Sequence, residues 1–508
     1  MIPPLLLDVQ PHHKVIDLCA APGSKTSQIL EALSVTDQTE TGEPKWPSGL
    51  VIANDMDYKR CYLMIHQLNR NPSPMYMATQ YDGSQFPNLR ISGTDGKDEI
   101  LKFDRILADV PCSGDGTLRK NIAIWKNWTE KSAIGLHPLQ IRIAFRGLQM
   151  LAVGGRMVYS TCSLNPLENE AVVAELLRLA NGAVEVVDVS DELQELKRRP
   201  GMQSWKVFDS NGEEVERSEF VPGEKILETM LSPTAEEEDI KSQLSRCMRV
   251  YPHLQDTGGF FITVLKKTAH LGGKKVNLPT PTINGHRYIS HPISINTSNE
   301  PTEPVPKKAK LDTSQPNFGP NATNEGTATA GAKEEPFVYL SSDHPELEEI
   351  RKFYNLSPSF PSTDLFVRNA SGEPIRAIYI TNPLVKELLH HNQSMRLLNA
   401  GTRLFVRQPD PKSAATCQWR VHSDGLPLID PFLGPNRIVT ANVEEIWELL
   451  KSGAQFPLVR DLKENLRAQV EKLDNGGFVI RVDPSGNPET EMNVPFSIPM
   501  WKSPFAVK

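Results

Sequence analysis

The chain has 508 residues, of which 39% are hydrophobic and 23% charged, and it carries a formal net charge of -7. This length exceeds what a single core sustains, so two or more domains are expected; no run of 18 apolar residues offers a helical membrane span, and no membrane partner is expected. Six scattered cysteines with no CxxC pair exclude a disulfide scaffold and a zinc knuckle, and point to a reducing compartment.

The opening residues, MIPPLLLDVQPHHK, lack the basic start and long apolar stretch of a secretory signal. The acidity is local: residues 1–181 hold 18 Lys+Arg against 19 Asp+Glu, whereas 182–257 hold 9 against 17. A basic face near the first domain is therefore compatible with the overall charge.

The run from Val15 to Leu18 reads as a first strand. It is followed by the turn Cys19, Ala20, Ala21, Pro22, Gly23, Ser24 and Lys25, which opens a helix. Strand, small-residue turn and helix N-terminus can meet a polar or anionic ligand, although the glycine spacing is neither that of a P-loop nor of a dinucleotide fingerprint. A second strand, Leu50 to Asn54, ends in Asp55, and a third, around Met75 to Thr79, gives way to Asp82. Each acid alone reads as a turn residue, but in succession after consecutive strands they outline a nucleoside pocket. Asp17, inside the first strand, is expected to be hydrogen-bonded because an unpaired buried carboxylate is costly.

The stretch FDRILADVPCSGDG, Phe103 to Gly116, reads as a central strand that Pro111 terminates, delivering Asp109 and Cys112 into a loop. Leu118 to Trp128 is basic and aromatic, suited either to phosphate contact and base stacking or to packing over the sheet. A helix over His137 to Leu151 is expected to turn through Gly154-Gly155 into the strand Arg156 to Tyr159. That strand delivers a second cysteine, Cys162, and Asn165-Pro166 then starts another helix. Residues 193–248 read as a charged insertion before Arg249, His253 and a last strand, Phe260 to Leu265. His253 has no companion at metal-ligand spacing, so no metal is expected.

Four pieces, DLCAAPGSKT, DVPCSGDGT, YSTCSLNPLENEAVV and RVYPHLQDTGGFFI, occur together and in this order, and with them the chain resembles the RNA cytosine-5 methyltransferases of the NOL/NOP/Sun family. The resemblance implies an α/β fold with a Rossmann-like methyltransferase sheet over residues 1–267, S-adenosylmethionine as cofactor and tRNA as partner, with other RNAs as further candidates. It implies a cofactor pocket lined by Cys19 to Lys25, Asp55 at the ribose and Asp82 at the adenine. Cys162 would be the nucleophile, Cys112 the thiol assisting product release and Asp109 the group that binds the target base. Arg249 and His253 match the family's late motif, which supports the site. Family members carry a further stretch before the first strand that completes the sheet, whereas fourteen residues precede it here, so an incomplete N-terminal part and weak cofactor binding are expected.

Two rival readings are an adenine N6-methyltransferase on the same fold, which would place an aromatic near Cys112, and a non-catalytic RNA-binding protein derived from such an enzyme. Residues 268–336 are rich in Pro, Thr, Asn, Gly and Ser and read as a disordered linker. Within it, Pro306 to Leu311 reads as a nuclear-import signal or a solubilising patch, so a nuclear, partly nucleolar protein with some cytoplasmic population is expected. Residues 337–508 read as one small α+β domain, with a helix over Leu384 to Leu398 and another over Val443 to Leu450. The resemblance implies a PUA-like RNA-binding module there. A monomer is expected.

Overall fold

Short aliphatic runs alternate with amphipathic helices through the first 267 residues, and this alternation builds a doubly wound sheet. The structure is a computed structural model that describes residues 1–34, 46–93, 95–129, 131–209, 211–220, 226–272, 282–283, 286–287, 335–408, 415–451, 457–483, 495–504 and 506–507. The expected linker 268–336, including Pro306 to Leu311, lies largely outside the described residues.

In chain order the elements that place the site are β1 (Lys14–Asp17), α1 (Ser24–Leu33), β2 (Leu50–Asn54), α2 (Tyr58–Leu68), β3 (Tyr76–Thr79), β4 (Phe103–Asp109), α3 (Lys131–Met150), β5 (Leu151–Thr161), α4 (Glu170–Ala180), β6 (Met248–Val250) and β7 (Phe260–Lys267). They pair in the order β3-β2-β1-β4-β5-β7-β6. The first five are parallel, and β7 runs antiparallel between β5 and β6. Ile16, Ile52, Ile106 and Met157 meet Ile141, Phe145 and Leu148 of α3 in one fully buried core. Central strands covered on both faces need such unbroken apolar runs. The order reverses at β1, between β2 and β4, and ligands of such sheets bind outside the carboxyl ends of the strands at that crevice.

Two expectations shift. The strand after α3 begins at Leu151 rather than Arg156, and the Gly154-Gly155 pair lies within it. The pairing of β4 with β5 slips from Phe103↔Leu151 to Arg105↔Arg156, and Gly154 takes φ +84° in the resulting bulge. The expected helix Leu384 to Leu398 stops at His391, and Leu397–Ala400 is instead a strand.

That strand joins the first sheet. Leu397–Ala400 pairs antiparallel with β3 and forms its outer neighbour. The helix Pro383–His391 docks beside it, placing Val385 and Leu388 in the core of that first sheet. Asn382, fully buried, donates to the carbonyl oxygens of Gly49 (2.6 Å) and Pro47 (3.1 Å), and its own Oδ1 accepts from the N–H of Val385 as a helix cap.

The remainder of 337–508 packs as two units, not one. A five-stranded sheet (Phe337–Tyr339, Leu365–Arg368, Ala377–Ile380, Thr402–Arg407, Trp419–Val421) and a three-stranded sheet (Ile438–Ala441, Gly476–Val482, Phe496–Lys502) each have an apolar core, and Val479 of the second is buried in the core of the first. No helix among the described residues is long and apolar enough to cross a membrane.

Candidate active site

The turn after β1 approaches α2 so closely that a side chain at Gly23 would meet Met64 and Leu68 at 3.2 and 3.3 Å, and its φ of +101° admits little but glycine. This geometry seats the N-terminus of α1, with its outward N–H groups, between the ends of β1 and β2. Asn54 staples the neighbouring strand ends: its amide donates to the carbonyl oxygens of Leu18 (3.0 Å) and Tyr81 (2.9 Å), and its Oδ1 accepts from the N–H of Tyr81 (2.9 Å).

Around that frame stand the expected carboxylates. Asp55 accepts from the N–H of Asp57 (3.0 Å) on one oxygen; the other accepts from Ala21 N–H (3.3 Å) and faces Arg60 at 3.2 Å. Burial pushes its pKa up against these contacts. Asp82 accepts from the N–H and hydroxyl of Ser84 (2.9 and 2.8 Å). Asp17 accepts from Thr26 Oγ1 (2.7 Å), as its burial required, yet its Oδ1 is buried with no partner among the described residues. Its pKa is pushed up to about 7, chiefly by burial. Cys19 is a half-buried thiol whose pKa lies well above the ordinary value, chiefly because it is withdrawn from solvent.

On the other side of the crevice, Asp109 ends β4 with both oxygens engaged: Lys25 Nζ donates to one at 2.6 Å and Ser160 Oγ to the other at 2.8 Å. Lys25 also lies 5.2 Å from the centre of the Phe260 ring. Cys112 and Cys162, from the loops after β4 and β5, place their sulfurs 3.3 Å apart, and both are half-buried. The pair is electrically unequal. The contact between the sulfurs raises Cys112, with burial and Glu168 adding to it, whereas the same contact lowers Cys162, helped by Lys25 and opposed by burial and Asp109. Cys162 is thus the member predisposed to be a thiolate.

Glu168 ties the two cysteine loops together. Fully buried, its Oε1 accepts from the N–H of Ser113 (2.8 Å) and Gln140 Nε2 (3.1 Å), and its Oε2 accepts from the hydroxyls of Ser113 and Ser163 (2.5 Å each). Ser113 follows one cysteine and Ser163 the other. Backbone bonds reinforce the clamp, from Gly116 N–H to Cys162 O (2.9 Å) and from Gly259 N–H to Gly116 O (2.7 Å). A Cβ on Gly116 would collide with Gly259 O at 2.5 Å.

Arg249 grips the loop from behind. Its guanidinium makes a buried two-point ion pair with Glu170 and donates to Leu164 O (2.9 Å), two residues beyond Cys162. His253, in contrast, is exposed on the short helix Pro252–Gln255. Glu168, Ser113, Ser163, Ser160 and the partner of Arg249 escaped the sequence reading, and within LENE nothing distinguishes Glu168 or Glu170 from acids that favour a helix start. Among the described residues no His/Cys/Asp/Glu cluster could hold a metal.

Comparison with known proteins gives three family matches: 16S rRNA methyltransferase RsmB/F over residues 4–266, the NSUN2 Pre-PUA domain over 336–434 and the NSUN2 PUA domain over 437–508. The boundary between the last two falls between the two small sheets. The chain is 40% identical over 530 residues to the multisite-specific tRNA:(cytosine-C(5))-methyltransferase trm4b of Schizosaccharomyces pombe, covering 99% of this chain and 75% of that protein. It is 40% identical over 510 residues to the multisite-specific tRNA:(cytosine-C(5))-methyltransferase of Saccharomyces cerevisiae (99% and 68%). The match to a tRNA (cytosine(34)-C(5))-methyltransferase of Drosophila melanogaster is 37% over 486 residues (95% and 63%).

Proposed function

Because this chain belongs to the RsmB/F family of S-adenosylmethionine-dependent RNA cytosine-5 methyltransferases, we propose that it methylates C5 of cytosine in tRNA through a transient covalent bond to Cys162. The observation that carries the reading is the unequal thiol pair beside a tethered carboxylate: Cys112 and Cys162 at 3.3 Å, with Asp109 fixed by Lys25 and Ser160.

The residues around the Gly23 turn fit the cofactor. The outward N–H groups of α1 suit a carboxylate, the unpartnered buried oxygen of Asp17 suits an ammonium, and Asp55 and Asp82 suit the hydroxyls and base of a nucleoside. When bound, S-adenosylmethionine supplies an electrophilic methyl group.

C5 of cytosine is a weak nucleophile, and the chain's task is to activate it. Addition of the Cys162 thiolate at C6 makes C5 the carbon of an enamine. Asp109 accepts a hydrogen bond from the exocyclic amine and orients the ring, and its tether to Lys25 keeps it from following the base away. Once Cys162 is bonded to carbon its sulfur no longer accepts from Cys112, so Cys112 loses its proton to water more readily; as a thiolate it takes the C5 proton, the C5–H pair re-forms the C5=C6 bond, and the C6–S pair returns to Cys162. A paired cytosine must leave its stack to reach these groups. The basic run Pro306 to Leu311 supports a nuclear site of action.

Bisulfite sequencing of unmodified tRNA incubated with the protein and S-adenosylmethionine tests the reading. Newly protected cytosines are expected. Methylated adenine in the product, or no modification, overturns it.

A further inference from the structure

The segment after the Cys112 loop resolves the two readings its composition left open, because it does not pack over the sheet. The short helix Ile122–Asn127 contributes no buried residue; Ile122 is 72% exposed, Trp125 71% and Trp128 40%. No other described aromatic is as exposed as Trp125. Monomeric proteins rarely leave large apolar side chains clustered in water without a use for them.

The segment is nonetheless held in place. Arg119 donates to Asp256 (2.7 Å) and to Thr257 O (2.6 Å), latching it to the loop before β7. On its inner side Ile124 covers Gly114: a Cβ there would stand 2.9 Å from the Ile124 side chain and 3.9 Å from Cys162 Sγ. The exposed face is therefore the rim of the nucleophile's own site, one side-chain layer away. Its charge is one-sided, since from Thr117 to Trp128 the sequence has three cations and no carboxylate in a chain of net charge -7. Arg119 is used internally, whereas Lys120 and Lys126 are exposed and have no ion pair among the described residues.

We propose that this face is a docking surface for the RNA strand flanking the target cytosine, with the Trp125 indole stacking on a base whose neighbour has left the stack. Extrusion of a nucleotide uncovers the faces of its neighbours, and an indole replaces the lost stacking partner without regard to sequence. Lys120 and Lys126 suit the accompanying phosphates. A rim one side-chain layer from the thiols, with two lysines that have no ion pair among the described residues, favours the strand carrying the target base over a protein partner.

The inference rests on RNA being the substrate, and its test separates the two. Affinity for tRNA is measured across a salt series for the wild type, Trp125→Ala, Trp125→Phe and Lys126→Ala, together with cofactor affinity and methyl-transfer kinetics. Trp125→Ala is expected to weaken tRNA binding on the order of tenfold, with the salt slope and cofactor affinity unchanged, and Trp125→Phe to recover most of the loss. Lys126→Ala is expected to lower the salt slope by about one. Wild-type tRNA affinity and KM in Trp125→Ala overturn the proposal. If the wild type binds tRNA but transfers no methyl, the functional reading fails while the effect of Trp125 remains measurable.

Discussion

The sulfurs of Cys112 and Cys162 stand 3.3 Å apart, and their contact acts on the two thiols in opposite directions, raising the pKa of Cys112 and lowering that of Cys162. Two thiols of identical chemistry are thereby made unequal, as the proposed division of roles requires.

Replacing Cys162 by Ala should reduce methyl transfer by a factor on the order of 10⁴ or more, as loss of a covalent nucleophile does elsewhere. Cys112→Ala should instead accumulate a denaturation-resistant adduct of protein and RNA, visible as a shifted band on a denaturing gel. Accumulation of the adduct in Cys162→Ala would reverse the two roles.

The same inequality sets the pH profile. As the proposed nucleophile, Cys162 reacts as its thiolate, and its contact with Cys112 lowers its pKa from the ordinary thiol value, so kcat/KM should fall as pH drops through that lowered pKa. Lys25→Met removes a cation that lowers the pKa and should move this limb to higher pH. An unmoved limb would show that Lys25 does not act on the thiol.

Glu168 accepts from four donors, two of them buried on Gln140 and Ser163 and two half-buried on Ser113. Each donor stranded by Glu168→Ala costs about 1–3 kcal/mol, so that variant should be severely destabilised in denaturant titrations. Glu168→Gln preserves the shape, and the serine hydroxyls can turn to accept; it should retain the fold and cofactor affinity while lowering kcat. Loss of cofactor affinity in parallel with kcat would place the role of Glu168 elsewhere.

Asp17 makes stability depend on pH. Its folded pKa, about 7, lies above the ordinary carboxylate value because of burial, so its contribution is fully present below the unfolded pKa and lost as pH rises through the folded one. Relative to wild type, Asp17→Asn should therefore gain stability between about pH 4 and pH 7 and then hold a constant difference. Parallel stability curves across that window would contradict the assignment.

Asn382 carries the junction between the C-terminal half and the methyltransferase sheet. Asn382→Ala removes a helix cap and uncovers two carbonyl oxygens, a loss of about 1–3 kcal/mol. Through the adjoining β3 and Tyr81 it should also weaken cofactor binding, measured by calorimetry. Unchanged cofactor affinity would mean that the two halves act independently.

Asp109, Cys112 and Cys162 were legible in the sequence because apolar runs mark strands and whatever follows a strand end faces the crevice. Glu168 was not, because its partners Ser113 and Gln140 come from other segments and only the closed fold gathers them. Leu397 to Ala400 reads equally well as helix; pairing with β3 decides its state, an instance of tertiary context overriding local preference. Conversely, the exposure of Trp125 could not be read from a composition that a packed loop shares.

The strand Leu397–Ala400 also bears on the order of events during synthesis. Tyr81, beside Asp82, accepts through its hydroxyl a hydrogen bond from the N–H of Arg396, 315 residues later in the chain. A nascent chain that has released every element from β1 to β7 from the ribosome still exposes the outer edge of β3, with its hydrogen-bonding groups unpaired. Closure of that edge waits for residue 400 to emerge, and a contact so distant in sequence closes late. Translation that stops before this point leaves the cysteine pair on a sheet whose β3 edge is unpaired, the kind of edge on which chains associate.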